Sequence, residues 1–540
     1  MTRNTPIPLL IGLIAILSAG CKSSDANGVP GSQGPGVTLR LLSGSENKTL
    51  QPLLDRFGRE NNATIKTEYL GSVDIMLKLG DAQLDYDAVW PANRLWIALG
   101  DKQKRTKEEQ SILWSPVVFG VKKSVAQGLG WVGKPVKVDD ILTAAESGRL
   151  RFMMTSATQS NSGASAYLGF LYAFAGNPDV LSDADLAKPD VRAKIKRILG
   201  AVNRSSGSSG WLKDLFLQRY DSYDAMVNYE SVIIEANQEL VKRGEEPLYV
   251  VYPSDGLAIA DSPLAYIDQG DSQKADIFRK LQAFLLSPEG QRGIQAQGRR
   301  VGPVGEQIQN PDTSVFNPDW GIDVSKFLNQ IRYPRAEVIR SSLELYQSTF
   351  RKPSMTVYCL DFSGSMQQGT REEDLKSAMR LVLDQAAAKK SFLQASPSDV
   401  TMVIAFSDQI LATWTVKGND PAQLSALWQK INQFEPNGGT DIYSPVMKAV
   451  DAMKQTPNLE NYFPAVILLT DGESNTGPSL EEMKSHIRTA RIGADVPVFG
   501  ILFGEASENQ LNGIAKATSG RVFDPKGDLA KAFREVKGYN

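Results

Sequence analysis

Three short segments in the last third of the chain place carboxylate and hydroxyl side chains beside glycine. Asp361, Ser363 and Ser365 lie in "LDFSGSM", Thr440 lies in "NGGTD", and Asp471 lies in "LLTDGE". Such oxygen atoms are the ligands that hard divalent cations prefer, and Mg²⁺ takes them octahedrally at about 2.0–2.1 Å. If the segments meet, these five residues form a site for Mg²⁺, or for Mn²⁺ or Ca²⁺. Taken alone, "LDFSGSM" is equally consistent with a polar turn.

The pattern around these segments predicts that they do meet. Strand-like runs alternate with helical periodicity: "MTVYCLDFS", "VTMVIAF", "LATWTV", "AVILLTDG" and "VPVFGILFG", with an edge strand near "GRVFDP". This alternation indicates a mostly parallel sheet of about six strands with helices on both faces. Such sheets bind ligands at the carboxyl ends of their strands. The three polar segments follow or precede elements at that edge.

This set of residues resembles the metal-ion-dependent adhesion site of von Willebrand factor type A domains. The family pattern is Asp-x-Ser-x-Ser, then a Thr, then an Asp, and all five positions match. Over residues 353–540 the resemblance implies a Rossmann-like, three-layer α/β/α domain. It also implies that the hydroxyls and carboxylates hold the metal directly or through water, and that an acidic residue of a partner protein completes the shell. The alternative is a remnant of the site that binds no metal.

Other chemistries fit the chain less well. The only histidine, His486, lies in a predicted helix, so zinc chemistry and Ser/His/Asp hydrolysis lack their residues. The chain contains no G-x-x-x-x-G-K-[ST] phosphate loop. Its formal net charge of −2 gives no electrostatic basis for binding nucleic acid. We therefore expect a binding protein without catalytic residues, and not an enzyme.

Residues 37–310 form another α/β region. "VTLRLL" and "TIKTEYL" alternate as strands do, and helical spacing follows the first of them. In the order of its strand-like, helical and loop-like segments, the region resembles type II periplasmic solute-binding proteins. That resemblance implies two lobes with a small solute or an anion between them. "WSPVVFGVKKSV" and "LYVVYPSDG" are expected to be the two crossings between the lobes.

Candidate ligand-binding residues of this region precede predicted helices, because the free N–H groups at a helix N-terminus suit anions. Two aromatic residues could also line the cleft. The candidates are Ser43, Ser45, Trp90, Thr158, Ser160, Ser162, Gly163 and Tyr229. The alternative is that they are helix caps and turns in a scaffold that binds no small ligand.

The N-terminus has the pattern of an export signal. In residues 1–21 a positive charge precedes a short apolar run and small residues. The end of this segment, "LSAGC", resembles the lipobox of bacterial lipoproteins, which implies that Cys21 carries the lipid and becomes the mature N-terminus. An ordinary secretory signal with an accidental cysteine is the alternative. Residues 22–36 are rich in Ser, Gly and Pro and predict a flexible tether. Cys359 is expected to be buried in a strand without a disulfide partner.

Residues 311–352 connect the two regions and contain one amphipathic helix, which either closes the first domain or acts as a semi-rigid connector. The expected function is that of a lipid-anchored, non-enzymatic binding protein on the exported side of a membrane in the cell envelope. Its type A domain would bind a protein partner through the metal, and the other domain would bind a small ligand or serve as a scaffold. The rivals are the substrate-binding component of an ABC-type transporter with an accessory type A domain, and a structural envelope protein.

Overall fold

The computed structural model describes residues 36–302, 308, 310–325, 328–490, 496–525 and 529–537. The predicted signal peptide, Cys21 and nearly all of the predicted tether lie outside these residues. From Val37 onward the chain belongs to one compact unit. None of the helices within the described ranges combines the length and the apolar character needed to cross a bilayer.

The N-terminal part of the structure, residues 37–302, alternates strands and helices. Its strands are β1 (Val37–Gly44), β2 (Ala63–Leu70), β3 (Ala88–Trp90), β4 (Thr106–Ser111), β5 (Ser115–Lys122), β6 (Phe152–Thr155), β7 (Arg204–Ser206), β8 (Ala225–Tyr229), β9 (Leu248–Val251), β10 (Ile259–Ala260) and β11 (Pro263–Ile267). Its helices are α1 (Gln51–Glu60), α2 (Ser72–Leu79), α3 (Arg94–Gly100), α4 (Lys123–Gly128), α5 (Val138–Glu146), α6 (Asn161–Phe174), α7 (Asp183–Ala187), α8 (Pro189–Gly200), α9 (Ser209–Gln218), α10 (Glu230–Lys242), α11 (Ser272–Leu286) and α12 (Pro288–Gln295).

These strands form two sheets, each the centre of one lobe. The sheet of lobe 1 has the order β2-β1-β3-β11-β4, and the sheet of lobe 2 has the order β10-β5-β8-β6-β7, with β9 also paired to β5. The chain passes from lobe 1 to lobe 2 between β4 and β5, through residues 112–114. Of the expected crossing "WSPVVFGVKKSV" only Trp114 lies there, since most of that run forms β5 in the sheet of lobe 2. The chain returns between β10 and β11, through Asp261 and Ser262. The return crossing was expected in "LYVVYPSDG", and this prediction was wrong. The run is apolar because it contains β9, a strand of lobe 2.

A helical connector follows and leads into the C-terminal part, residues 354–537. The connector helix is α13 (Ala336–Leu345), continued by one π-helical turn. The strands are β12 (Ser354–Asp361), β13 (Val400–Phe406), β14 (Ile410–Lys417), β15 (Phe463–Thr470), β16 (Val498–Leu502) and β17 (Val522–Phe523). The helices are α14 (Arg371–Leu383), α15 (Gln385–Lys390), α16 (Pro421–Asn432), α17 (Tyr443–Lys454), α18 (Leu480–Ala490), α19 (Glu508–Thr518) and α20 (Leu529–Lys537).

The C-terminal part is a three-layer α/β/α sandwich, as expected. Its sheet has the order β14-β13-β12-β15-β16-β17, and only β14 runs antiparallel to its neighbour. Helices α14, α16 and α20 pack on one face of the sheet, and α17, α18 and α19 pack on the other. Every residue of β12 and β15 is buried, which explains their near-continuous apolar sequence. Cys359 lies in β12 and is fully buried, as expected.

The connector helix belongs to the core of the N-terminal part. Ile339, Leu343, Tyr346 and Phe350 recur at helical spacing and are all buried in a cluster that contains residues of both lobes. Phe463, the first residue of β15, joins the same cluster. The amino ends of the strands of the C-terminal part therefore pack against the N-terminal part, and the connector is a packed element.

A buried ion pair reinforces this junction. Arg351 follows the connector and donates to both oxygens of Asp399, with 3.1 Å between Nη1 and Oδ1. Asp399 also accepts hydrogen bonds from the backbone N–H groups of Ser354 (2.9 Å) and Ser396 (2.8 Å). Burial acts to raise the pKa of Asp399, but Arg351 and these donors outweigh it and hold the pKa below its usual value.

We expect the substitution Arg351→Met to destabilise the protein by about 3–5 kcal/mol, because it removes the guanidinium that is hydrogen-bonded to the buried Asp399 carboxylate. Thermal unfolding followed by circular dichroism measures the change. The contribution of Asp399 is present above its unfolded pKa of about 3.9 and is lost as the pH falls through the lower folded value. The difference between variant and wild type should therefore shrink in acid. Arg197→Met, which breaks an exposed pair with Glu146, should cost far less, because water and salt screen exposed ion pairs, and equal effects of the two substitutions would contradict the prediction.

Candidate functional site

Backbone hydrogen bonds bring the three polar segments together at the carboxyl edge of the C-terminal sheet. The N–H of Gly364 donates to the carbonyl of Gly438 at 3.0 Å, which joins the first segment to the second. The N–H of Asn475 donates to the carbonyl of Thr440 at 2.9 Å, and the side chain of Asn475 accepts from the N–H of Thr440 at 3.0 Å. The second and third segments are thereby joined as well. All five predicted metal ligands lie at this edge.

Several of their oxygen atoms already have the spacing of metal ligands. The Ser363 and Ser365 Oγ atoms are 3.1 Å apart, and Ser365 Oγ lies 2.7 Å from Asp471 Oδ1. Gly472 packs beside both the Ser365 and the Thr440 hydroxyls. Adjacent ligands of an octahedral Mg²⁺ are separated by about 3.0 Å, which follows from metal–oxygen distances of about 2.1 Å. The donor set therefore fits a small, hard divalent cation.

Asp361 and Asp471 are completely buried, and the structure compensates for the desolvation of both. Thr470 Oγ1 donates to Asp361 Oδ2 at 2.6 Å, and the N–H of Ser363 donates to Asp361 Oδ1 at 2.7 Å. Burial nevertheless raises the pKa of Asp361 to about 6; these two donors oppose the rise, and the charge of Asp471 adds to it. A bound cation would relieve this repulsion.

Arg371 supplies a positive charge at the same place, and the sequence analysis did not find it. Its Nη1 donates to Asp471 Oδ2 at 2.8 Å from the first turn of α14. Gly504 permits this approach, since its φ is +57° and a Cβ there would lie within 3.0 Å of Arg371 and Asp471. The N–H of Glu505 donates to the carbonyl of Asp471 at 2.8 Å, so the loop after β16 is a fourth loop of the site. No residue pattern in the sequence indicates the role of Arg371. Thr470 could have been found, because it directly precedes Asp471, a predicted ligand.

The described residues contain no group of three or more His, Cys, Asp and Glu side chains that could hold a metal ion. The site at this edge has a different donor set, with two carboxylates and three hydroxyls. Two carboxylates balance the formal charge of a divalent cation, and Arg371 adds a positive charge beside Asp471, so that a further carboxylate from outside would be attracted. His486 lies on α18, with Nε2 at 2.8 Å from Asp451 Oδ1. His486 therefore belongs to none of the four loops that form the candidate metal site.

The predicted ligand-binding residues of the N-terminal part occupy several environments. Ser43 and Trp90 are buried in lobe 1, where Ser43 Oγ donates to the Trp90 carbonyl at 3.3 Å. The Thr158 hydroxyl donates to Gln347 in the connector at 3.2 Å, which directs it away from the space between the lobes. Gly163 packs α6 against β6, since a Cβ there would collide with the Thr155 carbonyl.

The remaining predicted residues lie nearer the contact between the lobes. The Ser160 and Ser162 hydroxyls lie within hydrogen-bond distance of each other and of the Ser209 hydroxyl. The Tyr229 hydroxyl accepts from Asn161 Nδ2 at 3.1 Å. Ser45 is the one among the eight that lines the cavity between the lobes. These residues stay candidates, since most of them are buried against protein and do not face the open space.

The two lobes touch each other. Trp96 Nε1 in lobe 1 donates to Asn161 Oδ1 in lobe 2 at 2.7 Å, and the N–H of Val73 donates to the Gln159 carbonyl at 3.3 Å. A cavity of about 750 Å³ remains between them, lined by residues such as Ser45, Tyr69 and Trp211. This volume lies within the range of ligand pockets in proteins, about 300–1,000 Å³.

Comparisons with known families match both halves of this architecture. Residues 39–300 match the family of bacterial extracellular solute-binding proteins, and residues 356–473 match the von Willebrand factor type A domain. The chain carries a solute-binding domain followed by a type A domain. The predicted combination is thereby confirmed, and the match to the type A domain spans all five predicted metal ligands.

Individual relatives are more distant. The chain is 25% identical over 202 residues to the human inter-alpha-trypsin inhibitor heavy chain H2, which covers 34% of this chain and 20% of the relative. It is 26% identical over 167 residues to the mouse heavy chain H3, which covers 30% of this chain and 17% of the relative. The chain thus spans about a fifth of the length of these curated relatives.

Solved structures of periplasmic binding proteins are similar over about half of the chain. The sulfate-binding protein SubI from Mycobacterium tuberculosis aligns with a TM-score of 0.39 and 16% identity, over 55% of this chain and 94% of that structure. Maltose-bound MalE3 from T. maritima aligns with a TM-score of 0.43 and 13% identity, over 58% and 93%. What these proteins bind says nothing about the ligand of this chain.

We expect the substitution Arg371→Gln to lower the stability of the metal-free protein by about 2–3 kcal/mol, because Asp471 loses a charge-assisted hydrogen bond in a buried setting. Added Mg²⁺ should recover part of this loss, which thermal unfolding with and without the ion measures. Arg380→Gln is the matched control, because Arg380 is exposed on the same helix and stacks on Trp428. Equal behaviour of the two variants would show that Arg371 does not serve the site.

Proposed function

We propose that this protein is an exported, non-enzymatic binding protein whose type A domain holds a divalent cation and, through it, an acidic residue of a partner protein. Asp361, Ser363, Ser365, Thr440 and Asp471 would hold the ion, directly or through water. The observation that supports the proposal best is the convergence of these oxygen donors at one sheet edge, with spacings close to those of an octahedral shell.

The position of the site suits a protein partner. The solute-binding domain packs at the amino ends of β12 and β15, whereas the candidate metal site lies at their carboxyl ends. A strand of eight residues such as β12 separates the two ends by about 26 Å. A carboxylate of another protein can therefore approach the metal edge without contact with the solute-binding domain.

The solute-binding domain would bind a small ligand in the cavity between its lobes. Lobes that close around a ligand are a common switching device, and here the type A domain is packed on the same body. The chain would be held at a membrane on its exported side through a lipid on Cys21, with residues 22–36 as a tether. The partner protein would then be bound at the cell envelope.

Divalent cations should stabilise the protein. At about 100 times the dissociation constant, a ligand of the native state adds about 2.7 kcal/mol to the free energy of unfolding. Thermal unfolding in EDTA, Mg²⁺ and Mn²⁺ should show this gain in wild type and not in Asp361→Asn or Asp471→Asn. Asp374→Asn removes an exposed carboxylate of α14 and should keep the full response. If the ions leave the wild type unchanged, the metal site does not exist.

Acidic peptides provide a probe for the partner. A peptide with a single central glutamate should bind the full chain in Mg²⁺, be released by EDTA, and lose its affinity when that glutamate is replaced by glutamine. The physical reason is that the open coordination position attracts a carboxylate and not an amide of the same shape. Fluorescence anisotropy of the labelled peptide measures the binding, and binding that persists in EDTA would count against metal-mediated recognition.

The substitution Cys21→Ser should release the protein from the membrane. The thioether-linked lipid provides the hydrophobic anchor, and serine cannot carry it. Cell fractionation should find the wild type with the membranes and the variant in the soluble exported fraction. A variant that stays with the membranes would show that another segment anchors the chain.

A further inference from the structure

The cavity between the lobes has a third wall, which the type A domain provides. Arg521, which directly precedes β17, and Glu535 of α20 line it together with residues of both lobes. Gln159 joins all three walls, since its carbonyl accepts from Val73 of lobe 1 and its side chain donates to the Arg534 carbonyl of α20 at 2.6 Å. Gln159 is 8% exposed. The mouth of the solute site is thus shared between the two domains.

The walls of this cavity carry more acidic than basic side chains. The carboxylates are Glu46, Asp74, Asp214, Glu235 and Glu535, and the bases are Lys48, Lys213 and Arg521. Lys213 already lies between two of these carboxylates, at 3.5 Å from Glu235 and 3.6 Å from Asp214. The buried Arg299 also pairs with Glu235 at 3.1 Å, and with it counted the acidic side chains outnumber the basic ones by five to four. The cavity therefore favours a ligand with positive charge.

Aromatic rings add to this preference. Tyr69 of lobe 1 and Trp211 of lobe 2 line the same cavity, and Trp211 also packs edge-on against Phe499 of the type A domain. The face of an aromatic ring attracts ammonium groups, most strongly where water is excluded. An organic cation would use both the carboxylates and the rings.

The place where an anion would bind lobe 1 is covered by the protein's own carboxylate. Glu46 lies in the turn that leads into α1, and its side chain lies over Gly44, where a Cβ would collide with it. Its Oε1 atom is buried and accepts no hydrogen bond from the described residues. Burial raises the pKa of Glu46 to about 7, although Arg299 opposes the rise. An anion here would meet a carboxylate, whereas a cation would compensate for it.

The hydroxyl groups that could bind an anion on lobe 2 are committed to one another. The Thr155 and Ser162 Oγ atoms are 2.8 Å apart, and Ser162 and Ser209 are also 2.8 Å apart. These residues are at most 1% exposed. They hold the N-terminal ends of α6 and α9 together, and they do not face the cavity.

On the premise of the proposed function, that the cavity is the ligand site of the solute-binding domain, we propose that it takes an organic ammonium ligand and that Glu535 of the type A domain forms part of the site. Carboxylates from lobe 1 and from α20 would hold the ammonium groups, and Tyr69 and Trp211 would cover the carbon chain. Binding then draws the lobes and the type A domain together around one ligand.

Isothermal titration calorimetry of the full-length protein in detergent tests this inference with 1,4-diaminobutane, sodium sulfate and sodium phosphate as probes. The diamine should bind saturably and the two anions should not. Glu535→Gln should weaken the diamine about tenfold, the cost of one charge-assisted contact, and Glu535→Asp should recover part of the affinity. Glu508→Gln is the control, because Glu508 begins α19 on the opposite face of the sheet, and it should change nothing.

Each other outcome overturns a stated part of the inference. Binding of an anion in place of the diamine, or no binding of the diamine, overturns the ligand class. Diamine binding that Glu535→Gln leaves unchanged overturns the role of the type A domain. The metal titration of the same preparation is read separately, so a missing metal response with intact diamine binding refutes the proposed metal site and leaves the cavity assignment standing.

Discussion

The packing of α13 into the core of the solute-binding domain is the contact on which the rest of the arrangement depends. A connector with four buried apolar side chains cannot leave that core without exposing all of them to water, which costs about 1.5–3 kcal/mol for each. The chain leaves this helix directly into the buried Arg351–Asp399 pair and the first strand of the type A domain. The two domains therefore share one body, and the cavity between the lobes acquires a wall from the type A domain.

The polarity of a parallel sheet then separates two kinds of contact. At the amino ends of β12 and β15 the type A domain meets the solute-binding domain, and at the carboxyl ends it gathers buried carboxylates and hydroxyls. Two carboxylates that are buried close together repel each other. Arg371, the Thr470 hydroxyl and backbone N–H groups compensate for this repulsion. A divalent cation would perform the same compensation more strongly, which is the physical basis of the metal site that we propose.

Much of the fold could be predicted because local hydrophobic patterns indicate where its helices and strands lie. Alternating and continuous apolar runs indicated the strands of both domains, and the helical spacing of Ile339, Leu343, Tyr346 and Phe350 indicated the connector helix. The return crossing between the lobes was misplaced because an apolar run marks a buried strand wherever that strand lies, while the crossing itself is short and polar. Arg371 and Glu535 could not be foreseen, since nothing local to either residue shows what α14 or α20 brings it against.

The sequence by itself determined the two-domain α/β architecture and the five oxygen-bearing residues of the candidate metal site, because strand polarity brings the loops after parallel strands to one edge. Tertiary structure alone decided which charges face those residues and what surrounds the cavity between the lobes. Most of the serines and aromatic residues that the sequence suggested for the cleft are buried within or between the lobes, and carboxylates from three separate parts of the chain line the cavity instead. Contacts between residues hundreds of positions apart depend on how whole domains pack, and no local pattern encodes them.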